Sequence, residues 1–406
     1  MFRLYTTIFI LFGQTYLFLR LRRYCEQQPA LPFWSKKVLA VVFLIFNLPL
    51  IAFYFYFWQL SQLSETILLL LMPVFVWHIA TLFIFLVLGI GSMIKLPFTL
   101  SLNVASYHPT IKQKVSEMKE TPQFKKFDTS RRTFLRSGVV GLSAYSFIGA
   151  SSGAASAGEY EIKKKTITIP QLPEEFKGFT IGILSDIHSS IFMNKEDMDK
   201  YVSAMNELKT DLVVVTGDFV NSQTDEVYPF AEAFSNLHSP HGVYGCLGNH
   251  DYFARDVERV AKEVDNCGVK LLRNDAVQIR KGNSYFNLVG VDDIGRNTPP
   301  EEYMTKALAF AKNDQPKILL CHKPYYFEKA KELGFDLTLS GHTHGGQIVF
   351  GTIDRTPLSL AALASKYVSG LYTIDQSLLY VNNGIGFTGI PFRINCPAEL
   401  TVLTLA

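Results

Sequence analysis

The sequence predicts two unlike parts, an all-α region of membrane-spanning helices and, behind it, an α/β domain. Three observations carry that prediction. Long uncharged apolar runs occupy the first hundred of the 406 residues, and from Ile162 onward short apolar strands alternate with amphipathic helices. Charge divides at the same place: residues 1–158 hold 15 Lys/Arg against 5 Asp/Glu, and residues 159–406 hold 24 against 31. The second part is therefore acidic, which excludes the basic face that nucleic-acid binding needs.

The runs come first. Leu4 to Leu19 is uncharged, Val38 to Ser64 is uncharged for 27 residues, and Thr66 to Ile94 for 29. About 20 apolar residues cross the hydrocarbon core. The second and third runs exceed that and the first is borderline. Pro49 and Pro73 lie inside the runs and are expected to kink the helices. His78 is an ionisable residue within the third run, a position that raises a functional question.

Basic residues set the orientation. Arg20, Arg22, Arg23, Lys36 and Lys37 fill the first connection, none falls around 59–65, and nine lie between Lys95 and Arg136. Basic loops stay in the cytoplasm, so the first and third connections face inward and the second outward. Residues 95–136 are then a basic cytoplasmic connection, read as a solvated loop in preference to an amphipathic helix over about Thr110–Lys119.

Residues 137–158 are uncharged and rich in Gly, Ala and Ser. They form either a fourth span or an export signal. The preceding Ser130-Arg131-Arg132-Thr133-Phe134-Leu135-Arg136 resembles a twin-arginine signal, and Ala155-Ser156-Ala157 resembles a cleavage site. A chance Arg pair before an ordinary membrane helix is the alternative. Either way the segment runs from inside to outside, and residues 159–406 are expected on the extracytoplasmic side of a cytoplasmic (inner) membrane.

In the second part, Thr166–Ile169, Thr180–Leu184, Leu212–Val215 and Val243–Leu247 read as strands. Asn194 caps a helix whose Met198, Tyr201, Val202, Met205 and Leu208 share a face; Val227–Leu237 and Val257–Val264 read as two more helices. Further strands are expected at Phe286–Val291, Ile318–Cys321, Leu337–Leu339, Tyr367–Ile374, Leu378–Val381 and Leu400–Leu403, with helices near Glu301–Lys312 and Pro324–Leu333. Alternating strands and helices imply a largely parallel sheet covered by helices. The five cysteines, Cys25, Cys246, Cys267, Cys321 and Cys396, include no close pair, so neither a disulfide scaffold nor a thiolate zinc site is expected.

Polar clusters stand at the strand ends. Ser185-Asp186-Ile187-His188, Gly217-Asp218-Phe219-Val220-Asn221, Gly248-Asn249-His250-Asp251, His322, and Gly341-His342-Thr343-His344-Gly345-Gly346-Gln347 each follow one strand. In open α/β sheets those ends line the functional crevice. Carboxylate oxygens with imidazole nitrogens suit Mn, Fe, Zn or Co, and no thiolate is offered. Two such ions about 3.5–4 Å apart can activate a bridging hydroxide and neutralise phosphoryl oxygens. One Asp-x-His is commonly structural; five polar clusters in order at five strand ends are not explained by packing.

These motifs resemble the calcineurin-like metallophosphoesterase superfamily over about residues 178–401, and most closely its membrane-associated or twin-arginine-exported bacterial branch. Gly389-Ile390-Pro391-Phe392-Arg393 and Pro397-Ala398-Glu399-Leu400 look like that branch's closing segment. The resemblance implies a four-layer α/β sandwich. It implies one metal ion on Asp186, His188, Asp218 and His344 and a second on Asp218, Asn249, His322 and His342, with Asp218 bridging. His250 would face the substrate, and Asp251 would orient His250 or cap a helix. Arg393 would touch a substrate phosphate or form a surface ion pair. Gly384-Ile385-Gly386-Phe387-Thr388-Gly389 reads as an active-site loop, since no helix follows it as dinucleotide binding requires.

The expected function is dinuclear metal-dependent hydrolysis of a membrane or envelope phosphoester, with lipid-linked esters among the candidate substrates. One alternative is a UDP-2,3-diacylglucosamine-type pyrophosphate hydrolase of lipid A synthesis, which needs a cytoplasmic site. The other is a non-catalytic membrane-anchored scaffold.

Overall fold

The computed structural model describes residues 2–28, 30–56, 65–293, 295, 298–312, 315–354 and 356–406. It divides into two compact units, Met1–Ser152 and Gly153–Ala406. The expected outward connection around 59–65 lies almost wholly outside the described residues.

The first unit is built from α1 (Phe2–Glu26), α2 (Ser35–Tyr56), α3 (Glu65–Ala105), α4 (Pro109–Glu120) and α5 (Pro122–Ala155). Three of these are long and apolar enough to cross a membrane, over Leu4–Glu26, Ser35–Ala52 and Leu70–Ala105. α5, which contains most of 137–158, is not among them. Leu17, Phe43, Ile84 and Phe85 form the unit's apolar core, and Phe46 stacks on Trp77 at 4.5 Å. Inside it Trp77 donates to Gln14 and Gln14 donates to Thr81, at 3.1 and 2.6 Å; without water, such groups must satisfy one another. The His78 ring meets the carbonyl of Val74 in its own helix at 2.8 Å.

The stretch expected to be a solvated loop is helical instead. α4 begins on Pro109, whose fixed backbone suits a first helical position, and Gln113 donates to Glu117 one turn on. It buries no residue. Arg131 and Arg132 lie within α5, both paired to Asp128 at 2.8 and 2.6 Å.

The second unit runs β1 (Tyr160–Ile167), β2 (Thr180–Leu184), α6 (Lys195–Glu207), β3 (Leu212–Val215), α7 (Val227–Phe234), β4 (Val243–Gly245), α8 (Asn249–Phe253), α9 (Val257–Asn266), β5 (Val269–Leu271), β6 (Asp275–Lys281), β7 (Ser284–Gly290), α10 (Pro300–Leu308), β8 (Lys317–Leu320), α11 (Phe327–Glu332), β9 (Leu337–Ser340), β10 (Thr352–Ile353), β11 (Thr356–Pro357), β12 (Gly370–Ile374), β13 (Ser377–Val381) and β14 (Ala398–Leu405). One sheet has the order β1-β14-β2-β3-β4-β5 and the other β12-β13-β9-β8-β7-β6. β2 to β5 are mutually parallel, as are β7, β8, β9 and β13.

The two sheets pack face to face. Ile181, Ile183, Leu212, Val214 and Leu403 of one meet Phe286, Leu288, Ile318, Leu320 and Leu339 of the other. Alternate residues face outward: Leu184, Val213 and Val215 pack against α6, α7 and α9, and Val289 and Leu319 pack against α10 and α11. Central strands buried on both faces read as continuous apolar runs, and the result is the expected four-layer α/β sandwich.

Asn194 caps α6, accepting from the Asp197 amide at 2.9 Å. β1 begins six residues earlier than expected because its exposed, lysine-rich length is held by eight parallel rungs to β14. β5 and β6 were not expected: one has three residues and the other is mostly exposed or half-buried, so neither shows an apolar period. All five cysteines are free.

Candidate metal centre

The parallel register aligns the strand ends. Leu184 pairs with Val215, Val215 with Gly245, and Leu320 with Leu339, so the residues beyond them emerge along one edge of each sheet. Asp186, His188, Asp218, His342 and His344 all adopt the left-handed backbone conformation, with φ between 48° and 72°. That costs of order 1–3 kcal/mol each and persists only where the surroundings enforce it. Two glycines let the loops meet. A Cβ at Gly248 would strike the Asp218 carboxylate and amide, and one at Gly341 would strike Ser185 Oγ and Asp186 Oδ2.

The side chains converge. Asp186, His188 and His344 form one group, Asp218, His322 and His342 a second, and His188, Asp218 and His250 a third; within each the ligand atoms lie within 4.8 Å of one another. Asp218 Oδ2 is 3.1 Å from His322 Nε2 and 3.5 Å from His188 Nε2. His344 Nε2 lies 3.4 Å from Asp186 Oδ1 and 3.0 Å from His188 Nε2. His342 Nδ1 is 3.2 Å from His322 Nε2. Asn249 opens α8, and its side-chain oxygen is buried without a hydrogen-bond partner.

Neighbouring groups aim these ligands. Thr216 O accepts from His322 Nδ1 at 2.7 Å, which turns Nε2 toward Asp218. Ser185 donates to Asp186 Oδ2 at 2.5 Å, and the His342 amide donates to both Asp186 oxygens. Thr388 Oγ1 meets His344 Nε2 at 2.7 Å. The His250 amide donates to Asp218 Oδ1, and His250 Nδ1 is 2.5 Å from Asn221 O. The sequence assigns no role to Thr216, or to Asn221 and Thr388 within their motifs. The only sequence signal is that each lies within three residues of a motif position or inside the glycine-rich loop.

One residue follows the second of its two expected roles and one departs from its expected surface role. Asp251 caps α8, accepting the amide of Gly248 just ahead of that helix, and does not bond to the His250 ring. Its oxygens accept from Gly248, Asp218, Phe219 and Val220 at 2.8–3.2 Å, so it shapes the loop that carries Asp218. Arg393 is not on the surface. It is 2% exposed, and its guanidinium donates to the carbonyls of Asn383, Gly384, Gly386, Cys396 and Pro397. A planar fork of donors suits a chain that folds back on itself.

Electrostatics fit a cation. Burial, helped by the charge of a neighbouring histidine, pushes His188 and His342 down to about 3 and His344 well below its ordinary range. These imidazoles are neutral and keep a lone pair for a metal. Burial pushes Asp186 up to about 6. Burial acts to lower His322, but Asp218 and Asp186 outweigh it and hold it up at about 10. Burial acts to raise Asp218, and the charges of His322 and His250 outweigh it, holding the carboxyl well below its usual range. Two facing imidazole nitrogens, a carboxylate oxygen between two rings and an unspent amide oxygen are the donor set of a hard-to-borderline divalent ion.

The calcineurin-like phosphoesterase family matches residues 179–346. An uncharacterized metallophosphoesterase of Helicobacter pylori is 33% identical over 284 residues, covering 68% of this chain and 71% of the relative. The chain belongs to the calcineurin-like metallophosphoesterase family. The uncharacterized metallophosphoesterase YkuE of Bacillus subtilis is 31% identical over 290 residues, and 97% of it is covered. A Danio rerio protein described as a transmembrane protein with metallophosphoesterase domain is 33% identical over 249 residues; this metallophosphoesterase spans 56% of that relative's length.

Proposed function

We propose that this metallophosphoesterase is a dinuclear metal-dependent phosphohydrolase acting on a membrane or envelope phosphoester. The observation that carries the reading is the position of Asp218 Oδ2, 3.1 Å from His322 and 3.5 Å from His188, where one carboxylate serves two ligand groups. In this reading Asp186, His188, Asp218 and His344 hold one ion, and Asp218, Asn249, His322 and His342 hold the other. Divalent cations, when bound, neutralise phosphoryl oxygens and activate water.

The chain's own groups do the rest. His250 is tied through Nδ1 to Asn221 O, which leaves Nε2 to face the substrate; the doubly protonated ring hands its Nε2 proton to the departing oxygen as the P–O bond breaks and is left neutral. Phe253 and Tyr325 stand beside His250 and His342, at 4.9 and 5.8 Å between ring centroids, and both are exposed; they form an aromatic rim. Asp251 holds the Asp218 loop in its strained conformation.

The proposed location is the inner membrane, multi-pass, with the catalytic unit outside the cytoplasm, reached by the twin-arginine route. The distribution of basic loops supports this orientation. Retention of an uncut anchor is supported by Ala157, which is 5% exposed within the catalytic unit's core, and by Glu159 O, which accepts the Ala398 amide. A reporter enzyme fused after Ala406 tests the side: activity only when it reaches the periplasm is expected, and activity only in the cytoplasm would favour the lipid A pyrophosphate reading.

The chemistry is tested with the full chain in detergent, stripped of metal and reloaded with Mn, Zn, Fe or Co. Binding of about two ions and turnover of bis-p-nitrophenyl phosphate are expected, and Asp218→Ala should lose both while keeping its circular dichroism. Equal turnover by Asp218→Ala would sink the proposal.

A further inference from the structure

The two loops that carry Asp186, His188 and the Thr388 contact to His344 have a second face, and that face walls a cavity of about 180 Å³. Phe192, Met193, Tyr201, Phe387 and Pro391 line it. The first loop enters the metal centre at His188 and turns back through paired Ser190 and Met193 backbone bonds of 3.2 and 3.1 Å, which brings Phe192 and Met193 to the cavity. The second loop donates the Gly386 amide to Asp186 O at 2.8 Å and sets Thr388 on His344 at 2.7 Å, while Phe387 and Pro391 turn to the cavity.

The walls are preformed. Met193, Tyr201 and Phe387 are 1%, 3% and 7% exposed. The charged members of the lining, Asp197 and Lys200, pair with each other at 2.7 Å, which leaves an apolar interior. Such a lining offers little to a sugar or a base and suits hydrocarbon. Chain connectivity adds the source. Ala157 and Gly158 also line the cavity, and they lie two and three residues beyond the end of α5 at Ala155, in a chain whose earlier helices are apolar enough to cross a membrane.

We propose that this cavity is a subsite for the alkyl chain of a phosphoester substrate. The inference rests on the phosphohydrolase reading of the adjoining centre and names its substrate class, an alkyl or acyl-chain phosphoester drawn from a lipid.

The test uses the full chain in nanodiscs with methyl, butyl and hexyl p-nitrophenyl phosphates, which are too short to anchor in the bilayer. Each buried methylene should raise kcat/KM roughly three- to fourfold. The plug is Gly158→Phe: Gly158 lines the cavity and a Cβ there meets nothing within 4 Å, so the backbone accepts the start of a side chain at the cavity wall. It should flatten the chain-length dependence and leave methyl ester turnover unchanged. A flat dependence in the unsubstituted protein, or a dependence that survives in Gly158→Phe, overturns the subsite while the phosphohydrolase reading stands. If no ester is turned over, that reading fails, and melting decides the subsite alone. Hexylphosphonate should then raise the melting temperature of the unsubstituted protein more than methylphosphonate does, and equally little in Gly158→Phe; equal shifts by the two phosphonates overturn it.

Discussion

Replacing Arg393 by Met keeps the length of the side chain and removes a guanidinium that closes the loop over the candidate metal centre. Two of its five bonds are short, 2.7 Å to Gly386 O and 2.9 Å to Gly384 O, and three lie at 3.2–3.4 Å. A hydrogen bond from a charged group contributes about 1.5–3 kcal/mol, so the two short ones together contribute about 3–6 kcal/mol. Gly384 O keeps the Glu399 amide at 3.2 Å, which places the loss toward the lower end. In a domain of this size 1 kcal/mol moves the melting temperature by about 2–4 °C, and the expected fall is roughly 6–15 °C. The tryptophans, Trp34, Trp58 and Trp77, all precede the catalytic unit, so its melting is followed by the near-ultraviolet dichroism of its tyrosines. Arg393→Lys, with charge but no fork, should recover only part of the loss. An Arg393→Met protein that melts within ~3 °C of the unsubstituted one and shows a raised KM for bis-p-nitrophenyl phosphate would refute the clamp and return Arg393 to the substrate.

Gly341→Ala places a methyl against Ser185 and Asp186 Oδ2 and should weaken metal binding at least tenfold with little loss of secondary structure, read by competition with a metal-sensitive dye. Asp251→Asn replaces an oxygen that accepts backbone amides with an NH₂ group that repels them. Metal affinity should fall about 10–100-fold, and calorimetric titration giving unchanged affinity would remove Asp251 from the supporting role. The metal-free protein should lose stability between pH 6.5 and about 10. His322 is held up at about 10, so the stability from its protonated form is complete below its unfolded value of about 6.5 and disappears as pH rises through the folded value. The shifts of His188, His342 and Asp186 act below that window. Mn should abolish the fall, because the ion takes the proton's place on His322; a melting temperature that stays level without metal would contradict it.

Much of the α/β unit was legible because its signals are local. β3 is four apolar residues buried on both faces, α6 has its cap Asn194 immediately ahead of its thirteen residues and its apolar stripe within them, and the polar clusters follow strand ends. β5 and β6 were not legible because short or exposed edge strands borrow their order from neighbours. α4 was misjudged because a helix that buries nothing shows little apolar period.

The residues alone determined which groups offer themselves to a cation: carboxylate, amide and imidazole, no thiolate, in a chain with apolar helices ahead of it. Tertiary structure alone decided what those groups face. Arg393 reads from sequence as a surface or substrate residue, yet it lies inside because five carbonyls, contributed by residues 383–397 as the chain doubles back, need one planar donor. Asp251 stands beside His250 in sequence but reaches the Asp218 loop across 33 residues. Hydrogen bonds are paired by proximity in space, and that proximity is created only when β3 and β4 pair in register and the chain after β13 doubles back.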